Sequence, residues 1–172
     1  MVLVENTLSF HDLPASGWAV PGIDRLLAAG IVSGFPDDTF RPDQAVTRAE
    51  FVKMLDLTLG ITPSTGTTKF TDVASGSWFA RCVSATFFDP QGDVTRKELA
   101  ILLARTLHLS GGSALHFHDD GLIGTDAVQS VQAAVAEGYL QEFPDGTFRP
   151  RTLATRGQVA KVLAAVLTLQ SA

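Results

Sequence analysis

Three stretches of the chain space apolar residues four apart: Phe51/Leu55/Leu59, Leu99/Leu103/Leu107 and Val159/Leu163/Leu167. That spacing keeps side chains on one face of a helix, so each stretch predicts an amphipathic helix with a single buried stripe. Ahead of each stripe stands a threonine with a carboxylate or amide three residues on: Thr47 with Glu50, Thr95 with Glu98, Thr155 with Gln158. This is the capping-box pattern, in which each side chain satisfies an amide left unpaired by the first turn. Shorter clusters, Ile23/Leu26/Leu27 and Val131/Ala134/Val135, predict an earlier helix in the first and third regions. Gly30 and Gly138 follow these clusters and are placed to end the helices with φ > 0. Pro21-Gly22 weakens the start of the first of them, although proline is tolerated in a first turn. The expected fold is all-α, a helix-loop-helix unit used three times.

The repetition extends to the loops. Phe35-Pro36-Asp37-Asp38-Thr39-Phe40-Arg41-Pro42 returns 108 positions later as Phe143-Pro144-Asp145-Gly146-Thr147-Phe148-Arg149-Pro150. Thr47-Arg48 returns as Thr155-Arg156 at the same offset, with an intermediate copy at Thr95-Arg96. Each unit opens on Phe-x-Asp: Phe10-His11-Asp12, Phe70-Thr71-Asp72 and Phe117-His118-Asp119. Eight residues after the phenylalanine the first two units carry Trp18 and Trp78, and the third has Thr125. The second unit is shortened: with Thr86-Phe87 as the counterpart of Thr39-Phe40, it lacks about one helical turn and the loop equivalent to Gly30 through Asp37. The expected boundaries are a lead-in at 1–9, units at 10–60, 70–109 and 117–169, and one domain over 10–170. Residues 62–68 and 110–113, rich in Thr, Ser and Gly, are the connectors.

Composition narrows the function. With 172 residues, 45% of them hydrophobic, the chain can bury a large core. Its 13 Lys+Arg against 18 Asp+Glu give a net charge of −5, which offers no basic face to a phosphate backbone. Nucleic acid is therefore not an expected partner, while a local cationic groove remains compatible with that charge. Cys82, the single cysteine, excludes an internal disulfide and reads as a small buried hydrophobe. No apolar run reaches the roughly 20 residues of a membrane span, and residues 1–6 lack the basic and apolar regions of a secretory signal. His116-Phe117-His118-Asp119-Asp120 and the acidic group Asp37, Asp38 and Asp43 could suggest metal. The first repeats a position that has no second histidine in unit one, and the second lacks EF-hand spacing, so neither metal nor cofactor is expected. Phosphate-cradling and nucleophile-elbow motifs are missing, and no enzymatic activity is expected.

Phe-x-Asp, Trp-Ala, Gly-Ile-Val-x-Gly-x-Pro-Asp-x-Thr-Phe-x-Pro and Thr-Arg-Ala-Glu, in that order over residues 10–60, resemble the S-layer homology motif. Three in tandem are similar to the cell-wall anchoring module of bacterial surface proteins. The resemblance implies a pseudo-threefold spindle around a central helical bundle. It also implies a non-catalytic, secreted cell-surface protein, attached to or associated with another surface protein. The implied partner is secondary cell-wall polysaccharide, held in grooves between units, often through a terminal pyruvylated N-acetylmannosamine. The wall-binding arginine of the family maps onto Arg48, Arg96 and Arg156.

A physical reason for such a role exists independently of the family. A guanidinium at the first position of a helix lies beside free backbone amides and the positive dipole end, which together suit a carboxylate. The bland alternative is a solvated first-turn residue. Trp18 and Trp78 could stack on a sugar ring, with closure of each unit's interior the competing role. Asp12 and Asp72 could touch ligand or cap a turn. The first unit is the most complete, with Gly34 and Glu50 both present, so the best site is expected around Arg48. The third has Glu142 in place of Gly34 and Gly157-Gln158 in place of Ala-Glu. A helical scaffold for protein assembly at the cell surface is the alternative function, and an exposed apolar patch would be its signature.

Overall fold

A computed structural model describes residues 10–14, 16–61 and 89–170. The expectations for 1–9, for Asp72, Trp78, Cys82 and Thr86-Phe87, and for the connector at 62–68 lie outside the described residues. The described residues form five α-helices: α1 Val20–Ala28, α2 Arg48–Leu59, α3 Arg96–Thr106, α4 Val128–Ala136 and α5 Arg156–Gln170. A 3-10 turn, Asp120–Leu122, precedes α4, and the described residues contain no strand longer than an isolated bridge. The all-α expectation holds.

The termini form as the sequence implies, with one exception. Thr47 and Thr95 make complete capping boxes on α2 and α3. At α5 the Gln158 amide donates to Thr155 Oγ1 at 3.4 Å, but Gln158 Oε1 is buried without a partner. Half of the expected box is therefore missing, whereas in α2 and α3 the glutamate carboxylate accepts from the threonine amide at 2.9 and 2.8 Å. Gly30 (φ 69°) and Gly138 (φ 74°) end α1 and α4 in the left-handed conformation. Their amides and those of Ile31 and Tyr139 turn back onto carbonyls of the last helical turn. His108 takes the equivalent left-handed position after α3, with φ 54°.

Packing joins units rather than closing each on itself. α1 lies on α5, α2 also lies on α5, and α3 lies on α4. Pro21-Gly22 is explained by the first contact: a Cβ on Gly22 would sit 3.0 Å from Lys161 Cα and 3.1 Å from the Ala160 carbonyl oxygen, so only glycine lets the two backbones meet. Phe51, Leu55, Leu99, Leu103, Val159 and Leu163, two from each predicted stripe, are fully buried.

The residues before the three threonines close a ring. Val46 N–H donates to Ala154 O at 3.1 Å, Ala154 N–H to Val94 O at 2.7 Å, and Val94 N–H to Val46 O at 2.8 Å. All three residues are fully buried. Each cap is thereby fixed against the other two, which sets where the first residue of every long helix points.

Candidate functional site

The two copies of the Phe-Pro-Asp-x-Thr-Phe-Arg-Pro tract fold alike. Asp37 Oδ1 accepts from Thr39 Oγ1 at 2.6 Å and its Oδ2 from Arg41 Nη2 at 3.0 Å; Asp145 does the same with Thr147 (2.6 Å) and Arg149 (2.8 Å). These bonds, from the threonine first and the arginine second, hold the Asp37 carboxyl down at about 2 and the Asp145 carboxyl lower still. Arg41 and Arg149 adopt φ of 59° and 56°, costly for a side-chain-bearing residue. The aspartates of the Phe-x-Asp openings stabilise this turn. Asp12 accepts from the amides of Phe40 (2.8 Å) and Arg41 (2.6 Å), and Asp119 from those of Phe148 (2.7 Å) and Arg149 (2.8 Å). Burial opposes ionisation of Asp12, but the amides outweigh it and lower its pKa. Of the two roles open to Asp12, the structure displays the turn-holding one.

The helix-opening arginines do not reach their own unit's tract. Arg156 Nε donates to Phe40 O at 2.9 Å and its Nη2 to Ser33 O at 3.1 Å. Arg96 Nε donates to Phe148 O at 2.8 Å and its Nη2 to Gln141 O at 2.8 Å. Their planes lie against aromatic rings, Arg156 at 4.9 and 4.6 Å from the Phe35 and Phe40 centroids, Arg96 at 4.6 and 4.8 Å from those of Phe143 and Phe148. Only 4% of Arg96 and 9% of Arg156 is exposed. Among the described residues neither forms an ion pair within 4 Å. Burial, reinforced by the nearby Arg149 charge and opposed by Asp119, lowers the Arg96 pKa to about 10; burial also lowers that of Arg156. Each is a desolvated cation on carbonyl dipoles, with its remaining nitrogen, Nη1, engaged by neither carbonyl.

Arg48 is placed differently. Its guanidinium pairs with the Glu98 carboxylate and, at 3.5 Å, with Asp89. Burial raises the Glu98 pKa less than its bonds to Thr95 and Arg48 lower it. Arg48 is thus already neutralised by two carboxylates.

A groove of about 460 Å³ opens over Arg96. Its walls are Tyr139 through Pro144 on one side and Gln158, Lys161 and Val162 of α5 on the other, with Trp18 at the rim. Lys161 Nζ reaches across to Gln141 Oε1 at 3.3 Å. Trp18 is 59% exposed where it lines the groove, which removes the interior role. Glu142 lines the same groove. Its counterpart Gly34 has no room for a side chain, since a Cβ there would overlap the Phe10 ring. The third unit accommodates the Glu142 side chain with a different aromatic pair: Phe117 and Phe148 stack at 24°, whereas Phe10 and Phe40 tilt at 51°. Glu50, the counterpart of Gln158, is occupied with the Thr47 cap and raises the Arg156 pKa by its charge.

One physical premise is overturned. The first two amides of each long helix are not free: Arg48 and Ala49 donate to Gly92 and Pro90, Arg96 and Lys97 to Thr152 and Pro150, Arg156 and Gly157 to Gln44 and Pro42. Neighbouring loop carbonyls occupy the place an anion would take. The cationic character of the groove comes from side chains alone. Lys161 and Gln141 were not singled out by sequence reasoning; the first sits five residues into a helix whose groove-facing side no local pattern distinguishes. No group of three or more potential metal ligands occurs among the described residues.

Residues 9–52 and 122–160 match the model of the S-layer homology domain. The chain is 27% identical over 182 aligned positions to exoglucanase XynX of Acetivibrio thermocellus, covering 96% of this chain and 17% of that protein. It is 25% identical over 153 positions to the cellulosome-anchoring protein of the same species (89% and 24%). Against the surface-layer 125 kDa protein of Lysinibacillus sphaericus the identity is 28% over 155 positions (82% and 13%). The chain spans less than a quarter of the length of each of these relatives.

Proposed function

We propose that this chain, two segments of which (9–52 and 122–160) match the S-layer homology domain, is a non-catalytic anchoring module that holds anionic wall polysaccharide at the cell surface. The observation that carries the reading is the buried guanidinium of Arg96, which forms no ion pair within 4 Å among the described residues, beneath a groove rimmed by Trp18 and Lys161. A carboxylate on an otherwise neutral sugar, such as a pyruvate ketal, would supply the missing counter-charge, while the indole packs on the apolar face of the ring. Arg156 makes the same pair of carbonyl contacts, to Phe40 and Ser33. Arg48, held by Glu98 and Asp89, is assigned an internal role, which moves the weight from the most complete unit to the two arginines without an ion pair. The polar lining of the groove, with Arg96, Lys161, Glu142 and Gln158, favours this reading over a protein-docking scaffold. Names among the relatives fit a module shared by surface-layer and cellulosome-anchoring proteins.

The test is calorimetric titration of the chain with purified wall polysaccharide before and after removal of its pyruvate. Binding should drop at least tenfold on depyruvylation, and Arg96→Lys and Arg156→Lys should each weaken it while Arg48→Lys does not. Equal affinity for the two glycans would sink the proposal.

A further inference from the structure

The chain contains two Asp-Gly pairs, Asp120-Gly121 and Asp145-Gly146, and the third unit holds them in opposite circumstances. At the second, Thr147 and Arg149 engage the Asp145 carboxylate, and the Gly146 N–H donates to Phe143 O at 2.9 Å. The His118 ring also covers that glycine, 2.9 Å from where a Cβ would stand. At the first pair, the Asp120 carboxylate has no hydrogen bond or ion pair among the described residues, and the Gly121 N–H donates to no backbone carbonyl among them. A Cβ on Gly121 would meet nothing within 4 Å. Both residues are exposed, in a 3-10 turn held by Leu122 N–H on Asp119 O at 2.9 Å and Ile123 N–H on Asp120 O at 3.0 Å. So short a turn opens locally at little cost. The matching turn of the first unit has Leu13 N–H on Phe10 O at 3.2 Å, as Asp120 N–H is on Phe117 O, but carries Leu13-Pro14, with neither the carboxyl nor the N–H.

We propose that Asp120-Gly121 is a site of spontaneous aspartate isomerisation, and that the bonds of the Phe-Pro-Asp-x-Thr-Phe-Arg-Pro tract protect Asp145-Gly146 from the same reaction. When the turn opens, the Gly121 nitrogen bonds to Asp120 Cγ. One carboxylate oxygen leaves as water, taking the amide proton and a proton from solvent, and a succinimide ring closes. Water then adds at the Asp120 backbone carbonyl carbon, whose bond to nitrogen breaks, so the chain continues through Cγ with one extra methylene and a free α-carboxylate. Water is the sole co-reactant and is returned in full. At residue 145 the same attack requires the Thr147 and Arg149 bonds and the Gly146 amide bond to break first. Isomerisation at residue 120 also reaches beyond its own turn. Asp119, the preceding residue, accepts from the Phe148 and Arg149 amides at 2.7 and 2.8 Å, and Arg96 donates to Phe148 O. Lengthening the backbone beside Asp119 loosens its hold on those amides.

The experiment is a long incubation of the whole chain in warm neutral buffer, followed by digestion and electron-transfer fragmentation, which distinguishes isoaspartate from aspartate at each position. Isoaspartate should accumulate at residue 120 about tenfold faster than at residue 145. In concentrated urea, which removes the bonds of both turns, the two rates should agree within about twofold. Gly121→Pro copies the first unit and removes the attacking N–H; Asp120→Glu would need a six-membered ring. Each should abolish the product at residue 120, with circular dichroism matching that of the parent chain. In the isomerised fraction, the Phe148 and Arg149 amides should exchange hydrogen faster than in fresh protein. No product at residue 120, or a rate at residue 145 equal to or above it in the folded chain, overturns the site. A difference that persists in urea overturns protection by the tract, and unchanged exchange at Phe148 and Arg149 overturns the link through Asp119.

Discussion

Replacing Arg156 with alanine should cost about 3 kcal/mol of folding stability, whereas the same change at Arg48 should cost about 1 kcal/mol or less, although both open equivalent helices. Arg156 makes two hydrogen bonds from a charged donor to buried or half-buried carbonyls, each worth about 1.5 to 3 kcal/mol. Truncation also removes a desolvated cation, and Ser33 is already exposed to water, so the lower end of the sum applies. Arg48 is instead part of a surface network, with side-chain exposures of 21% for itself, 31% for Glu98 and 53% for Asp89, where solvent screens the pairing. In a domain of this size about 1 kcal/mol corresponds to roughly 2 to 4 °C in Tm, which gives about 6 to 12 °C for Arg156→Ala and under about 4 °C for Arg48→Ala. Urea unfolding followed by circular dichroism, together with scanning calorimetry, measures both. Arg156→Lys should fall between them, because an ammonium keeps the charge but cannot span two carbonyls as a planar fork does. Equal shifts for Arg156→Ala and Arg48→Ala would refute the stabilising role of the buried Arg156 contacts to the Phe40 and Ser33 carbonyls, as would a loss below about 1 kcal/mol at Arg156.

Three further outcomes follow from the same geometry. Glu142→Gln removes a carboxylate from the wall of the Arg96 groove and should tighten binding of an anionic glycan a few-fold in titration, with no gain for a neutral one. Asp12, Asp37, Glu98 and Asp145 have folded-state pKa values below their unfolded ones, so their contribution is complete above the unfolded values near 4 and is lost as pH falls through the folded values. Tm should stay level from pH 7 to 5 and drop below pH 4, and Asp12→Asn should lower Tm at pH 7 while making the acid slope shallower. His108→Gly relieves a left-handed conformation after α3 and should raise stability by about 0.5 to 1 kcal/mol, read by urea unfolding; a loss would mean the imidazole makes a contact worth more than the strain.

Helix starts, buried stripes and left-handed glycines were legible because each depends on residues within a turn or two of one another. Thr47, Glu50, Leu55 and Gly30 needed no knowledge of the rest of the fold. The arginines were legible as a recurring position but not as a contact, because Arg156 lies 116 residues from the carbonyl it serves. For the same reason the completeness of the first unit points to Arg48 as the best site, when its guanidinium is paired with Asp89 and Glu98. The open helix amides were misjudged on similar grounds. Whether an N-terminal N–H is free depends on which neighbour's carbonyl arrives, and Pro42, Gln44, Pro90, Gly92, Pro150 and Thr152 carry no local mark of that use. Trp18 is exposed beside a groove whose other walls come from residues more than seventy positions away.

The ring through Val46, Val94 and Ala154 has a consequence for how the molecule comes into being. Its bonds run from the first cap to the third, from the third to the second and from the second back to the first, so none of the segments is terminal to the others. A nascent chain that has not yet reached Ala154 leaves the Val46 amide and the Val94 carbonyl without their partners, at fully buried positions in the finished fold. Closure of the ring must therefore wait for residue 154, which makes it a late, long-range event in the folding of this domain. Until the third cap has been made, the first two cannot complete their buried backbone bonds to it.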